Sequence, residues 1–418
     1  MTTSIAADQV SYADLYARWE QGNWRATDLD LTRDREQWEH AFTDLDRRGA
    51  LWTYSLFFHG EDSVADNLSP FIDAAPREEQ KYFLATQQVD EARHAVLFAR
   101  FMREVAGAGR DIGSALNETR PRLTWGFRKV FERLDRMADE LRRDRSRPKL
   151  AQAITLYHLV IEASLAQPGQ HFIEEGLARR GLLPGFREGI GHVARDEQRH
   201  IAFGVKMIAD LVREDPECEP AIADLLREIL PFTVAVFVPP GWDERYVTSF
   251  GFTLEDIYTQ GAEAMEGRLR AAGLDPLTMC LGLPFDMPPA ARAARGLRLL
   301  RAGYLGEPNG GVKPDREATA MLFDGLRRQI DASVAPGATI QWDFSDAEPW
   351  HLTIAGNGAP TAVAAGRVEE PDLTFHCRFG DWVDIAAGRT SPRSALLHRR
   401  VRPSGKLRML IRAPKLFG

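Results

Sequence analysis

The sequence predicts an all-α four-helix bundle followed by a smaller α+β domain. Three observations carry this. The pattern Asp-Glu-x-Arg-His occurs twice, as Asp90-Glu91-Ala92-Arg93-His94 and Asp196-Glu197-Gln198-Arg199-His200, each inside a segment of helical periodicity. Beyond about Gly306 that periodicity gives way to short alternating runs. A chain of 418 residues is also too long for a single bundle. We place the helical domain at 1–305, a linker at 306–314 and the second domain at 315–418.

The two motif copies aim chemistry inward. Three residues of a helix turn through about 300°, so Glu91 with His94, and Glu197 with His200, leave nearly the same face. Around the second copy Ile190, Val193, Gly204, Met207, Ile208 and Leu211 mark the buried stripe, and Glu197 and His200 fall on it. Leu84, Phe98, Phe101, Met102 and Val105 place the first copy likewise. A ferritin-like bundle binds two metal ions with two Glu-x-x-His helices and one glutamate from each of two others. Two more glutamates are therefore owed.

In chain order, residues 1–46 are polar, with Trp19, Trp24 and Trp38 read as packing residues on short outer helices. A helix is expected from near Leu51 toward Ile72, closed by Ser69-Pro70 and Ala75-Pro76. Its stripe reads Tyr54, Phe57, Phe58, Val64 and Leu68, and Glu61 completes the period. Arg77 to Val105 forms the next helix. A polar connection from Gly107 to about Pro121 precedes a charged helix, Arg128 to Arg142, and a loop ending at Pro148. The helix from Leu150 to Ala166 is apolar nearly all round, with Glu162 at its middle. A carboxylate buried without compensation costs several kcal/mol, which a metal ion largely removes. Pro168 is expected to kink or end that helix, and Gly251 to Ala272 to complete the bundle and its channel. The candidate ligand set is Glu61, Glu91, His94, Glu162, Glu197 and His200. Asp90 and Asp196 are candidates to orient the imidazoles. The remaining histidines, His40, His59, His158, His171, His192, His351, His376 and His398, carry no such pattern and are assigned no chemistry.

Composition narrows the classes. A net charge of −7 gives no reason to expect nucleic acid as a partner. The three cysteines form no Cys-x-x-Cys pair, so neither a disulfide framework nor a zinc knuckle is indicated. No apolar run reaches the ~18 residues of a membrane span, and the start around Asp8 does not read as a secretory signal. A cytoplasmic protein without an integral membrane segment is expected.

These motifs resemble the ligand-binding oxidases related to the small subunit of ribonucleotide reductase, over roughly residues 10–275. The resemblance is carried by Gly60-Glu61-Asp62-Ser63-Val64, by Asp90 to His94, by Tyr157-His158 through Glu162, and by Arg195 to His200. It implies a Mn/Fe or Fe/Fe dinuclear centre, dioxygen as co-substrate, a fatty-acid-like ligand in a hydrophobic channel, an external electron donor and a homodimer. It also implies an ether link between a valine of the first helix and a tyrosine of the third, matched here by Val64 and Tyr157. In a regular α-helix Tyr157 stands about 140° of rotation from Glu162, and a π-bulge would bring it round.

The second domain begins with a helix carrying Met321, Leu322, Leu326 and Ile330. Runs at Thr339–Phe344, His351–Ile354, Thr361–Ala365 and Asp372–Cys377 read as strands, followed by an amphipathic Trp382–Ala386 segment and a last strand, Leu407–Ile411. From Pro371-Asp372-Leu373-Thr374 through Gly405-Lys406-Leu407-Arg408 to Pro414 it resembles the sterol-carrier-protein fold, which implies an apolar tunnel for lipids or acyl chains. The expected function is a dioxygen-activating two-electron C–H oxidation, hydroxylation or desaturation, of a hydrophobic, lipid-like substrate. Alternatives are a biosynthetic oxygenase acting on an amine or carrier-bound intermediate, and a non-catalytic metal-containing lipid-binding protein. A radical-generating subunit is disfavoured, because its flexible C-terminal tail is here replaced by a folded domain.

Overall fold

The computed structural model describes residues 10–307, 311–356 and 360–416; Asp8 and residues 308–310 of the expected linker lie outside them. The chain divides into two compact units, residues 1–225 with 236–275, and residues 226–235 with 276–418. Residues 276–305, placed with the helical domain from sequence, thus group with the second unit. No helix among the described residues is long and apolar enough to cross a membrane.

The first unit is helical. Two short helices, α1 (Tyr12–Gln21) and α2 (Thr32–His40), precede α3 (Asp44–Asn67), α4 (Ser69–Ala74) and α5 (Glu78–Arg100), which runs on into a π turn at Phe101–Val105. α3 starts earlier than its apolar stripe suggests. Thr43 caps it, accepting from the Asp46 amide at 3.1 Å while the Asp46 carboxylate accepts from the Thr43 amide at 3.0 Å. The expected loop at 107–121 contains α6 (Ile112–Thr119), capped by Asp111, and α7 covers Trp125–Arg143. Pro148 does not end a loop. Ser146 caps α8 (Arg147–Ile154), and Pro148 sits in its first turn, where a missing N–H costs nothing.

From Thr155 to Ala166 the winding is π, and from Gln167 to Arg180 it is α again, as α9. Pro168 falls at the start of α9, so the helix neither breaks nor ends there. α10 (Pro184–Glu214) is followed by α11 (Cys218–Thr233), whose residues from 226 on group with the second unit, and then by α12 (Arg245–Thr248) and α13 (Leu254–Ala271), the last packed on the π segment. α3 packs on α5, and α10 on the π segment, around a core that includes Tyr54, Phe58, Phe98, Phe101, Phe186 and Ile190.

The second unit holds α14 (Pro289–Arg301), α15 (Arg316–Gln329) and five strands: β1 (Thr339–Phe344), β2 (Trp350–Thr353), β3 (Ala362–Ala365), β4 (Leu373–Cys377) and β5 (Val401–Gly405). Their order is β3-β2-β1-β4-β5, with β1 and β4 parallel and the other pairs antiparallel. The core behind the sheet is aromatic: Phe323 stacks on Trp350 at 4.9 Å, and Trp342 packs against Trp382 at 5.1 Å. Helices α16 (Phe379–Ala386) and α17 (Pro392–Leu397) separate β4 from β5.

The expected last strand, Leu407–Ile411, is instead α18 (Leu407–Leu416), and the strand lies just before it at Val401–Gly405. The buried residues Met409 and Leu416, with Ala413 packed against the same core, recur at helical spacing. Pro403 hid the strand, because proline is tolerated at a sheet edge, and β5 is an edge strand. An open cleft of about 780 Å³ on this unit is lined by Tyr304, Trp350 and Phe379 and by the carboxylates of Asp315, Asp346 and Asp381. Its charged rim differs from the apolar tunnel that the resemblance implies.

Candidate metal centre

Four stretches bring six side chains to one point. Glu61 comes from α3, Glu91 and His94 from α5, Glu162 from the π segment, and Glu197 and His200 from α10, all buried. His94 Nδ1 lies 3.3 Å from Glu61 Oε2, 3.4 Å from Glu91 Oε2 and 3.8 Å from Glu197 Oε1. His200 Nδ1 lies 3.3 Å from Glu91 Oε1, 3.5 Å from Glu162 Oε1 and 3.8 Å from Glu197 Oε2. Two clusters result, Glu61/Glu91/His94/Glu197 and Glu91/Glu162/His200, with Glu91 in both. Glu91 and Glu197 each turn one oxygen toward either imidazole.

The atoms facing the centre lack protein partners. Glu91 Oε2, Glu162 Oε2, Glu197 Oε2 and His200 Nδ1 are buried and accept or donate no hydrogen bond. Unsatisfied buried groups of this kind are costly, and here all four converge. Four carboxylates with two neutral imidazoles would balance two divalent cations and offer the hard oxygen and imidazole donors that suit iron and manganese. The residues therefore fit a dinuclear centre. Without a cation the carboxyls cannot all ionise. Burial pushes Glu61 up to about 8, and burial together with the Glu197 charge holds Glu162 well above the carboxylate range. Burial acts the same way on Glu91, but the imidazoles of His200 and His94 beside it, at 3.3 Å and 3.4 Å, overcome it and hold that carboxyl low.

The rest of each motif orients the centre. His94 Nε2 donates to Asp196 at 3.2 Å and His200 Nε2 donates to Asp90 at 3.1 Å, so each helix's aspartate serves the other helix's histidine. Donation from Nε2 aims Nδ1 inward, where a neutral imidazole would offer its lone pair to a cation. Without a cation, burial lowers the pKa of both imidazoles, but the aspartates and glutamates around them raise it well above its ordinary range. The aspartates are held in turn: Trp19 Nε1 donates to Asp90 at 2.9 Å and Trp24 Nε1 to Asp196 at 2.7 Å. Arg93 and Arg199 each pair with both aspartates. The pairing keeps the four glutamates as the uncompensated charge.

The π winding explains Tyr157. Bonding from residue i to i+5 places the fifth residue nearly under the first, and the Gln167 amide accordingly bonds the Glu162 carbonyl. Tyr157 thus faces the centre, where its hydroxyl donates to Glu91 Oε1 at 3.0 Å. Val64 is buried one turn beyond Glu61 and lines a cavity of about 50 Å³ with Phe57, Phe127, Phe131, Ile161 and Phe237. No residue of 251–272 lines this cavity; α13 within that stretch packs on the π segment.

Sequence reasoning missed Gln87 and His158. Gln87 Nε2 donates to Glu162 Oε1 at 2.7 Å, and Gln87 Oε1 accepts from His158 Nε2 at 3.1 Å. Burial pushes His158 down to about 3, so it is neutral, with Nε2 facing the Gln87 amide oxygen at 3.1 Å and Nδ1 lying 3.3 Å from the Ile154 carbonyl. Gln87→Leu is expected to weaken metal binding about 10–100-fold at the Glu162 cluster, the usual loss when a group that orients a ligand is removed. Chelator competition on the folded protein measures it. Gln87 stands on the stripe of Leu84, Glu91 and Phe98, so the period alone marks it as inward-facing, but only contacts across helices show what it and His158 meet.

Residues 6–233 match the family described as ribonucleotide reductase, small chain, and residues 329–417 match the SCP-2 sterol transfer family. Among solved structures, the chain is similar to an R2-like ligand-binding oxidase, a tyrosine-to-phenylalanine variant with aerobically reconstituted Mn/Fe cofactor. The TM-score is 0.53 at 23% identity, covering 64% of this chain and 94% of that one. A glycine-to-phenylalanine variant of such an oxidase, with anaerobically reconstituted Mn/Fe cofactor, gives 0.54 at 23% identity over 63% and 94%. With more than half its length matched, the chain belongs to the ribonucleotide reductase small-chain family of dinuclear-metal oxidoreductases and carries a C-terminal SCP-2 sterol transfer domain.

Proposed function

We propose that Glu61, Glu91, His94, Glu162, Glu197 and His200 hold a Mn/Fe or Fe/Fe pair and that the chain is a dioxygen-dependent oxidase of hydrophobic, lipid-like substrates. The convergence of four partnerless buried atoms between two imidazoles supports this most directly. When bound and reduced, the metals would supply dioxygen activation for a two-electron C–H oxidation, hydroxylation or desaturation. The protein's own part is orientation and exclusion. Asp90 and Asp196 fix the imidazole tautomers, Gln87 fixes Glu162, and Tyr157 holds a proton at its hydroxyl against Glu91 Oε1. Burial and the nearby carboxylates keep that phenol well above its ordinary pKa, so it stays protonated.

The cavity that Val64 lines has Glu61, Glu91, Glu162 and Glu197 on one side and is apolar on its other walls, which suits an alkyl group and excludes water. At about 50 Å³ it takes only the end of such a chain, against ~300 Å³ or more for a whole small ligand. In this reading the C-terminal domain binds or delivers the substrate, and electrons come from an external donor.

The test loads metal-free protein anaerobically with manganese(II) and iron(II) and then admits oxygen. About two metals per chain, oxygen uptake that needs the reduced metals, and a peptide joining Val64 to Tyr157, lighter by two hydrogens, are expected. Zinc or no metal bound, with no oxygen uptake, would overturn the reading. Full uptake with Val64 and Tyr157 unlinked would remove the ether link alone.

A further inference from the structure

We infer that the β5 edge of the C-terminal unit docks on a lipid surface with anionic headgroups. After Asp384 the sequence contains nine arginines and lysines and no aspartate or glutamate, in a chain whose net charge is −7. Three of the nine are engaged with earlier acids: Arg389 with Asp384, Arg400 with Asp381 and Asp384, and Lys406 with Asp372. Arg402 on β5 and Arg408 and Lys415 on α18 are exposed and have no carboxylate partner among the described residues. A basic face lies there without internal compensation.

The same face is apolar. Leu407 and Ile411 on α18 are 72% and 69% exposed, and Leu397 on α17, which packs at the same edge strand, is 81% exposed. At about 100° per residue, Leu407, Ile411, Lys415 and Arg408 fall within one arc of about 100°. Met409 and Leu416 point the other way and are buried in the unit's core. A helix face that mixes aliphatic tips with long cationic side chains suits an interface where the former enter the acyl region and the latter reach the phosphates. A second copy of this chain would set like charges against each other. An acidic protein would match the charge but gives no reason for leucine and isoleucine at single-residue spacing among the cations.

The inference does not depend on the metal centre; metal content controls for the first unit, and the tryptophan fluorescence and thermal melt of each variant control for folding of the second. The full chain is sedimented with phosphatidylcholine vesicles, with and without phosphatidylserine, at low and high salt. Binding is expected only with phosphatidylserine and should fall at high salt. R408E/K415E should weaken it at least about tenfold. L407S/I411S should weaken it while leaving its salt dependence in place. R33E, on the first unit, should change nothing. No binding by the wild-type chain, or equal binding by either double variant at normal metal content, would overturn the inference. A dimer that dissociates with the same substitutions would assign the face to a second copy and overturn it as well.

Discussion

Glu91→Ala is expected to remove both metals at once, while Glu61→Ala removes one. Glu91 Oε2 lies 3.4 Å from His94 Nδ1, and Oε1 lies 3.3 Å from His200 Nδ1, so its two oxygens belong to different clusters. Glu61 belongs only to the His94 cluster. Loss of a shared carboxylate also leaves Tyr157 without its acceptor. Metal-dependent oxidation should drop roughly a thousandfold or more, since a catalytic metal supplies several kcal/mol of barrier lowering. Elemental analysis of dialysed protein reads the stoichiometry directly. One metal retained by the Glu91 variant would show that Glu91 is not shared. The two variants side by side separate a coupled pair from two independent sites.

The six candidate ligands were legible in the sequence because each sits on a stripe that the core forces inward, and a charged residue on such a stripe demands a partner. The same periodicity located α5 and four of the five strands to within a few residues, and α3 with its start about seven residues late. It failed where the determining contact is remote in sequence. Trp19 and Trp24 read as packing residues, yet their indoles hold Asp90 and Asp196 across 71 and 172 positions of chain. The partners of Gln87, which itself stands on the inward stripe, and of His158 were invisible for the same reason. α18 was misread because Leu407 and Ile411 are apolar but exposed, so hydrophobicity there did not report burial. The π segment was needed to reconcile Tyr157 with Glu162; sequence alone showed the conflict of angles and not which residues carry the wide turn.

Gly204→Ala should destabilise the first unit, while the same change at Gly267 should stabilise it slightly. A Cβ at Gly204 would lie 2.2 Å from His158 Cβ and 2.5 Å from His158 Cγ, and neither atom is at the end of a flexible chain. α10 and the π segment would have to separate. Overpacking of this kind costs about 1–3 kcal/mol, and removing a helical glycine returns up to ~1 kcal/mol. The clash is severe enough that the net effect is a lower Tm, by about 2–4 °C per kcal/mol. A Cβ on Gly267 in α13 meets nothing within 4 Å, so only the propensity gain remains. The Gly204 variant should also carry a second signature. His158 positions Gln87, and Gln87 positions Glu162, so displacing the imidazole should weaken metal binding at the Glu162 cluster as Gln87→Leu does, and leave the Glu61 cluster near its normal affinity. Thermal melts and chelator competition on the folded fraction separate the two effects. A Gly204 variant with unchanged Tm and unchanged metal affinity would mean that the contact between α10 and the π segment does not set the geometry of the centre.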